Sequence, residues 1–433
     1  MLELPSSLLE RLLNARDNAS GVSTDTRAEL TGNVFWALRG ANFDGNTYVT
    51  QALDSGACHA VTTDKTWEGH PDVTVVPDEL GALQRLAWAY RRRWSCPVLA
   101  LTGSNGKTTT KELIRDVLAS AFEVHATKGN FNNHIGVPLT LLNAPADPEF
   151  VVVEMGANHR GEIAALASIA EPTHGYITNI GLAHLDGFGG EHGVYLGKKE
   201  LFDHLEHRGG HAFVQEADTK VIQAAQDVVD QVKVNTPDWR WSAPMEGEAG
   251  GQVTSDRGDS FQVQLEGSYN LPNVVAAYVV GRHFSVSEQD AQQALSSYQP
   301  TNQRSQAVNT SRNWVLLDAY NANPSSVSHA VNDFASRGHA APLVLLGDMA
   351  ELGEVSAEAH RDVAALALQH GLELWTVGDW FGQAQAASEN ANWTHWPSFE
   401  ELQQALESTP LSGRQVLVKG SRSARLERLL PSL

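Results

Sequence analysis

The chain has 433 residues, 42% of them hydrophobic, which is typical of two or three globular domains. Its formal net charge of −20 argues against nucleic acid as a general partner, because phosphate backbones are bound by basic patches. The two cysteines, Cys58 and Cys96, provide no disulfide framework and favour a reducing compartment. The N-terminus lacks the pattern of a signal peptide, and no apolar run approaches the roughly 18 residues of a membrane span, so we expect a cytoplasmic, soluble protein that does not enter a membrane.

The elements predicted first along the chain are short. Residues 57–62 and 73–76 have the composition of strands separated by turns, and the spacing of apolar residues over 79–94 predicts a helix. Residues 97–101 then form an apolar run that predicts a buried strand. Helical spacing from Lys111 onward completes a strand–turn–helix unit.

The turn inside this unit has the composition of a phosphate-binding loop. Backbone N–H groups and the positive end of a helix attract anionic oxygens, and a closing Lys-Thr pair suits ATP and Mg²⁺. The ATP-binding residues predicted here are Gly103, Ser104, Asn105, Gly106, Lys107, Thr108 and Thr109. Leu101 stands where the common form of this loop has its first glycine, so the loop is shorter than that form. A chance turn that caps a helix is the alternative interpretation.

Strand and helix patterns alternate along the rest of the chain. Strands are predicted at 150–154, 175–178, 212–215, 314–318, 343–346, 372–377 and 416–419, with helices between them that include 272–283 and 288–297. Segment 236–262 is rich in turn residues, which leaves short extended pieces or a flexible excursion open. The pattern predicts an α/β protein of three domains: an N-terminal domain over 1–85, a central ATP-binding domain with a P-loop ATPase-like parallel sheet over 86–298, and a C-terminal Rossmann-like domain over 299–433.

Polar residues cluster in the turns that follow these strands. Glu154 ends an apolar strand and lies near the phosphate loop, which favours a Mg²⁺ ligand over a helix cap. His184 suits a ligand, a base or a hydrogen-bonded turn histidine, and Lys198 by itself is typical of a solvated helix charge. Further polar turns contain Asn130, Asn132, Asn133, Asn321, Asn323, Asp348 and Lys419. Because ligands gather at the carboxyl edge of parallel strands, we expect these turns to share one cleft.

Six motifs together resemble the Mur ligase family, the ATP-dependent amide-forming enzymes of peptidoglycan precursor synthesis. The similarity extends from about residue 21 to residue 430, and its motifs occupy 128–140, 154–159, 183–189, 320–324, 346–353 and 418–422. It implies that ATP phosphorylates the carboxylate of a UDP-N-acetylmuramoyl-tripeptide and that D-alanyl-D-alanine then attacks the acyl phosphate. The family's short loop also accounts for Leu101.

The resemblance implies roles position by position. UDP-substrate contacts are implied for Ser23, Thr24, Asp25, Arg27, Asn46, Asn130, Asn132 and Asn133. Nucleotide contacts beyond the loop are implied for Asn270, Arg304 and Asp318, and dipeptide contacts for Asn321, Asn323, Asp348 and Lys419. Two Mg²⁺ ions are implied, with the ligands Thr108, Glu154, His184 and Lys198, the last matching a lysine that is often carbamylated in the family. The catalytic residues that follow are Lys107, Glu154, His184 and Lys198.

Three positions depart from the family pattern, and other functions stay open at this point. Tyr269 stands where histidine is common, Leu317 where an acid is common and Gly197 where alanine is common. The alternatives are a ligase that adds a single amino acid or glutamate, a nucleotide-dependent switch, and a UDP-sugar-binding protein. The asparagine-rich turns favour a ligase that adds a dipeptide over one that adds a single amino acid or glutamate. The phosphate loop disfavours a UDP-sugar-binding protein. We expect a monomer, and either lysine or diaminopimelate suits the third peptide position.

Overall fold

The computed structural model describes residues 2–243, 250–301, 303–388 and 392–433. Residues 244–249 belong to the segment predicted to be turn-rich and lie outside the described residues. Within the described ranges, no helix has the length and apolar composition needed to cross a membrane.

The N-terminal part of the chain folds around a four-stranded parallel sheet. Its elements are α1 (Ser6–Asp17), β1 (Gly21–Ser23), β2 (Asn33–Trp36), β3 (Arg39–Gly40), β4 (Phe43–Asp44), α2 (Val49–Asp54), β5 (His59–Thr62), β6 (Val73–Val75) and α3 (Glu79–Arg91). The strand order is β1-β2-β5-β6, while β3 and β4 form a separate antiparallel ribbon. Helix α3 begins after Asp78, whose carboxylate accepts hydrogen bonds from the backbone N–H groups of Leu80 and Gly81.

The central part of the chain is built on a six-stranded parallel sheet with the phosphate loop at its middle. Its elements are β7 (Val98–Thr102), α4 (Lys107–Ala119), β8 (Val124–Ala126), α5 (Gly136–Leu142), β9 (Phe150–Glu154), α6 (Glu162–Ala170), β10 (His174–Ile177), α7 (Leu185–Phe188), α8 (Glu191–Arg208), β11 (His211–Gln215), α9 (Thr219–Ala224), β12 (Asp230–Val234), β13 (Trp239–Ser242), β14 (Gly251–Ser255), β15 (Ser260–Val263), α10 (Leu271–His283) and α11 (Glu288–Ser297). The order is β12-β11-β10-β7-β9-β8, and β13, β14 and β15 form a small antiparallel sheet. Every residue of β7 and β9 is buried, as expected for strands covered on both faces.

The C-terminal part of the chain forms a second six-stranded sheet. Its elements are β16 (Gln306–Asn309), β17 (Trp314–Asp318), α12 (Pro324–Ser336), β18 (Pro342–Gly347), α13 (Ser356–Gln369), β19 (Glu373–Val377), α14 (Asp379–Ala386), β20 (Thr394–Trp396), α15 (Phe399–Ser408) and β21 (Gln415–Lys419). The order is β16-β17-β21-β18-β19-β20, parallel except for the antiparallel edge strand β16. This is the open, helix-covered arrangement of a Rossmann-like domain.

These sheets confirm the predicted α/β class, and the predicted strands 150–154 and 314–318 have the observed ends. Helix α4 starts at Lys107, four residues before the predicted start at Lys111. The described residues of segment 236–262 take the extended alternative, as β13, β14 and β15. The domain boundaries after residues 85 and 298 stay predictions.

Candidate active site

The phosphate loop turns sharply between β7 and α4, and two glycines make that turn sterically allowed. Gly103 has a φ of 150° and Gly106 a φ of 79°. A Cβ on Gly103 would lie 1.9 Å from Oγ1 of Thr178, and one on Gly106 would lie 2.6 Å from Oδ1 of Asn273. Both positions therefore require glycine for conformation and for space. The loop leaves the first N–H groups of α4 pointing outward, in the arrangement that binds anions.

Lys107 opens helix α4 and lies over its own loop. Its Nζ donates hydrogen bonds to the carbonyl oxygens of Gly103 at 2.8 Å and Ser104 at 3.4 Å. Burial lowers the pKa of Lys107, while the charge of Glu154 raises it and that of Arg304 lowers it. An ammonium group held at this loop is placed to meet the phosphates of a nucleotide.

Glu154, at the end of β9, gathers polar groups from two other segments. Its Oε1 accepts hydrogen bonds from Oγ1 of Thr108 at 3.2 Å and from Nδ2 of Asn132 at 2.7 Å. Its Oε2 is buried, has no hydrogen-bond partner and lies 3.8 Å from Nζ of Lys111. The carboxylate is almost fully buried, so an unpartnered oxygen here is an available ligand atom for a hard cation.

His184 and Lys198 are the other two predicted metal ligands, and their environments differ. His184 precedes α7 with a left-handed φ of 53°, and its Nδ1 pairs with the carboxylate of Glu351 from the turn after β18. Burial lowers the pKa of His184, and Glu351 opposes that effect. Lys198, on α8, is 1% exposed, and its Nζ lies 5.1 Å from the ring centroid of Phe188. Burial and the charge of Lys107 place the pKa of Lys198 well below its ordinary value.

The C-terminal wall of the site is a hydrogen-bonded network. Nζ of Lys419 lies 2.5 Å from Oδ2 of Asp318, whose Oδ1 accepts a hydrogen bond from the N–H of Ser305. The Ser305 hydroxyl in turn bonds the Tyr269 hydroxyl at 2.9 Å and accepts from Nδ2 of Asn270 at 3.1 Å. Tyr269, which stands where histidine is common in the family, is thus part of a hydrogen-bonded network.

Arg304 neighbours this network. Its guanidinium lies 3.8 Å from the ring centroid of Tyr320, and its Nε is buried without a hydrogen-bond partner. A stacked guanidinium with an unused donor is suited to bind a phosphate or carboxylate oxygen.

One cavity of about 1290 Å³ joins the two walls. The predicted residues that line it are Ser104, Asn105, Gly106, Lys107, Thr108, Thr109, Asn130, Asn132, Asn133, Glu154, His184, Asn270, Arg304, Asp318, Asn321, Asn323 and Lys419. They come from the ends of β7, β8, β9, β10 and β17 and the turns after them, from the start of α4, from the segments just before α10 and β16, and from the end of β21. The structure thus brings together the turns that we expected to share a cleft, with the exception of the turn that carries Asp348.

The predicted UDP-binding residues of the N-terminal sheet lie away from this cavity. Asp25 pairs with Arg27 at 2.7 Å, and hydrogen bonds from Arg27 lower the pKa of Asp25 to about 2. Ser23 bonds the backbone N–H of Asp25, and the neighbouring Thr24 is half-buried. Asn46 is buried, and its Oδ1 accepts from Thr62 and Thr63, so its amide stabilises the N-terminal unit. Contact of these residues with a UDP group stays a prediction.

Asp348 also lies outside the cavity lining. Its carboxylate accepts hydrogen bonds from the N–H groups of Trp380 and Phe381, each at 3.1 Å, at the start of α14. A Cβ on Gly378 would fall 2.4 Å from this carboxylate, so the group fills the space beside the helix. This geometry gives Asp348 a helix-capping role, and its predicted contact with the dipeptide remains untested.

Several residues of the site were missed from the sequence. Asn179 and Thr178 follow β10 and bond the backbone of the phosphate loop, Ser325 reaches the loop from α12, and Lys111 lies beside Glu154. The position of Asn179 directly after a strand is the same signal that pointed to Glu154. Lys111 follows Lys107 by one helical turn, which places both lysines on the same face of α4.

Comparison with known proteins gives a consistent result over nearly the whole chain. The Mur ligase middle domain matches residues 101–281, and the "Mur ligase, glutamate ligase domain" matches residues 303–422. A UDP-N-acetylmuramoyl-tripeptide–D-alanyl-D-alanine ligase of Bacillus subtilis is 34% identical over 95% of this chain and 93% of its own length. The ligase of the same name from Escherichia coli is 32% identical over 100% of this chain and 99% of its own length.

Solved structures agree with these sequence relatives. A crystal structure of MurF from Acinetobacter baumannii has a TM-score of 0.83 and 27% identity, and covers 100% of this chain and 99% of its own. The MurF ligase of Thermotoga maritima, solved in complex with ADP, has a TM-score of 0.81 at 24% identity, covering 99% of this chain and 98% of its own. The second similarity supports the fold alone, because its identity is low.

Proposed function

The chain belongs to the Mur ligase family, and from that premise we propose that it joins D-alanyl-D-alanine to UDP-N-acetylmuramoyl-tripeptide with consumption of ATP. The relatives that carry this name match the chain along nearly its full length. The observation that carries the proposal is the shared cavity. It has the phosphate loop on one wall and the turn with Asn321 and Asn323 on the other.

The proposed reaction has two steps in this cavity. An oxygen of the tripeptide carboxylate attacks the γ-phosphorus of ATP, the bond to the bridging oxygen breaks, and ADP leaves. The dipeptide amine then attacks the acyl carbon, loses a proton, and displaces phosphate to leave the amide. Lys107 and the first N–H groups of α4 stabilise the charge on the phosphates during the first step. The two walls together exclude water, which would otherwise hydrolyse the acyl phosphate.

The residues around Glu154 fit a Mg²⁺ ion. The unpartnered Oε2 of Glu154 and the hydroxyl of Thr108 are hard oxygen donors, and Mg²⁺ uses one or two carboxylates together with substrate phosphates. Among the described residues, no three His, Cys, Asp or Glu side chains form a metal site by themselves. Substrate phosphate oxygens and water would complete the coordination of an ion held by Glu154 and Thr108. When bound, the ion supplies positive charge that neutralises the phosphoryl oxygens.

A second Mg²⁺ would require His184 and Lys198. We propose that Lys198 is carbamylated: its uncharged Nζ attacks CO₂, forms an N–C bond and releases a proton, which gives an anionic ligand. The support is the burial of Lys198 together with a pKa far below the ordinary lysine value, since only the uncharged amine reacts. A monomeric, cytoplasmic enzyme that does not bind nucleic acid completes the proposal, in keeping with the net charge of −20.

The deciding experiment measures ADP release and amide formation with D-alanyl-D-alanine and each UDP-tripeptide, the lysine and the diaminopimelate form. A ligase releases about one ADP per amide and needs both substrates, whereas a nucleotide switch releases ADP without the amine. Lys107→Ala should abolish the release of ADP that depends on the UDP-tripeptide. Wild-type-like turnover by this variant, or ADP release indifferent to the dipeptide, would reject the proposal.

A further inference from the structure

Asn105 of the phosphate loop is fixed at its backbone by the central sheet. Its N–H donates to Oδ1 of Asn179 at 3.0 Å, and its carbonyl oxygen accepts from Nδ2 of the same residue at 3.0 Å. The hydroxyl of Thr178 donates to this carbonyl at 2.6 Å as well. Both Asn179 and Thr178 follow β10, so the position of the Asn105 Cα is set by the central domain.

The side chain of Asn105 points the other way, into the C-terminal part of the chain. Its Nδ2 donates to Oγ of Ser325 at 2.9 Å, and its Oδ1 accepts from Nδ2 of Asn323 at 2.7 Å. The Ser325 hydroxyl donates to Oδ1 of Asn323 at 3.0 Å. Among themselves, each of the three side chains donates once and accepts once, so together they form a closed ring of hydrogen bonds.

Ring closure makes the three groups interdependent. Hydrogen bonds that share donors and acceptors polarise one another, so removal of one member weakens the others. The ring also sets which way the Asn105 and Asn323 amides face. Asn323 caps α12 through a bond from the N–H of Ser326, so the ring is anchored to a helix of the C-terminal sheet.

We propose that Asn105, Asn323 and Ser325 form a latch that couples the nucleotide loop to the dipeptide-binding turn, a step that rests on the proposed ligase function. Asn105 and Ser325 act as positioning residues in this latch: they hold the turn that carries Asn321 in register with the phosphate loop. The acyl phosphate then forms where the dipeptide amine is already aligned. Without the latch the two walls are held together less tightly, and water competes with the amine.

Other contacts also bridge these parts of the chain, so loss of the latch loosens the closed arrangement without abolishing it. The carboxylate of Glu351 pairs with His184, and Oε2 of Glu266 pairs with Arg337 at 2.5 Å. The expected effects of single variants are accordingly moderate, and the decisive quantity is how two variants combine.

The test is a double-mutant cycle with Asn105→Ala and Ser325→Ala. We expect kcat/KM for D-alanyl-D-alanine to fall about 10-fold in Asn105→Ala and about 5-fold in Ser325→Ala, as for the loss of neutral hydrogen bonds. The double variant should also fall by about 10-fold, whereas independent residues would give about 50-fold. ADP released per amide should rise above one in all three, because the acyl phosphate is hydrolysed.

Ser328→Ala is the matched control on the same helix. The Ser328 hydroxyl donates to the carbonyl of Pro324 at 2.9 Å within α12, so its loss should leave the ratio of ADP to amide at the wild-type value. If Ser325 had a purely structural role, its loss, like that of Ser328, would change only thermal stability and leave the ratio of ADP to amide unchanged. Multiplicative effects in the cycle, or a wild-type ratio in Asn105→Ala, would overturn the latch.

Small-angle X-ray scattering separates failure of the latch from failure of the ligase proposal. If the wild-type chain forms no amide, the ligase proposal fails, and scattering alone decides the latch. A larger radius of gyration in Ser325→Ala than in wild type and Ser328→Ala supports it. Equal radii in all three proteins reject it.

Discussion

Glu154→Gln is the substitution that best separates a chemical role from a structural one. The carboxylate holds Thr108 and Asn132 by hydrogen bonds and lies 3.8 Å from Nζ of Lys111. The side chain of Lys111 is only 2% exposed, and burial already lowers its pKa. Replacing the carboxylate by an amide keeps the shape and removes the charge, so Lys111 loses an opposite charge in a poorly solvated place.

The size of the effect follows from this geometry. Two unit charges 3.8 Å apart attract by about 4 kcal/mol at an effective dielectric constant of about 20. Oε1 of Glu112 lies 3.9 Å from the same Nζ and keeps part of the compensation. We therefore expect the free energy of unfolding to fall by about 2–3 kcal/mol, less than the roughly 3–5 kcal/mol typical when a buried charge loses its partner entirely. Activity should fall at least about 100-fold, because the carboxylate that we propose as a metal ligand is gone.

The assay compares chemical unfolding and ligase activity in Glu154→Gln and in the double variant with Lys111→Met. Methionine removes the uncompensated ammonium and fills a similar volume, so the double variant should regain stability to within about 1 kcal/mol of wild type. Activity should stay low in both. The reasoning is refuted if Glu154→Gln is as stable as wild type, or if Lys111→Met adds to the loss.

Three further predictions concern the phosphate loop, the buried Lys198 and the pH dependence of stability. Gly103→Ala should weaken ATP binding, measured calorimetrically, by about 10- to 100-fold, because its Cβ would fall 1.9 Å from Oγ1 of Thr178. Lys198→Ala should abolish ADP release, whereas Lys199→Ala should retain it. Wild-type protein depleted of CO₂ should regain activity when bicarbonate is added. Activity that does not depend on bicarbonate would contradict carbamylation. Burial lowers the pKa of His174 from 6.5 to about 4. The folded state therefore favours the neutral ring. The contribution of His174 to the free energy of unfolding should be complete above pH 6.5 and should fall by up to about 3 kcal/mol towards pH 4. A series of unfolding measurements in which His174→Phe keeps the full dependence on pH would contradict this.

The sequence predicted most of the strands whose burial is continuous and missed several at the sheet edges, among them β8, β12, β16 and β20. Strands β7, β9 and β17 read as apolar runs because helices cover both faces of their sheets. Strand β12 escaped prediction because Asp230, Gln231 and Lys233 are exposed at the edge of the central sheet, so no apolar run marks it and its alternation of polar and apolar residues spans only 231–234. Its pairing with β11 is a tertiary fact that local composition does not encode.

The sequence predicted which polar residues at strand ends belong to the site, but it predicted less well which groups these residues bond. Turn residues such as Glu154 follow a buried strand, and topology brings those turns together. Asp348 has the same signature, because it follows β18, yet its carboxylate accepts a bond from a helix N-terminus. Asn46 follows the short strand β4, which is not buried, and its oxygen accepts bonds from the end of β5 and the turn after it. The partners of Asn105 are 218 and 220 residues away in sequence, and no local pattern connects them.

The strong acidity of the chain has to be reconciled with a cavity proposed to bind two polyanionic substrates. A net charge of −20 repels anions at a distance, but physiological salt screens exposed charges beyond about 8 Å. Inside the cavity the nearest groups decide, and Lys419 is already neutralised by Asp318. The phosphates would therefore meet Lys107, Arg304 and the N–H groups at the start of α4. Affinity for nucleotide is thus a property of a few buried, directed donors, and the exclusion of nucleic acid by the acidic charge stays a prediction.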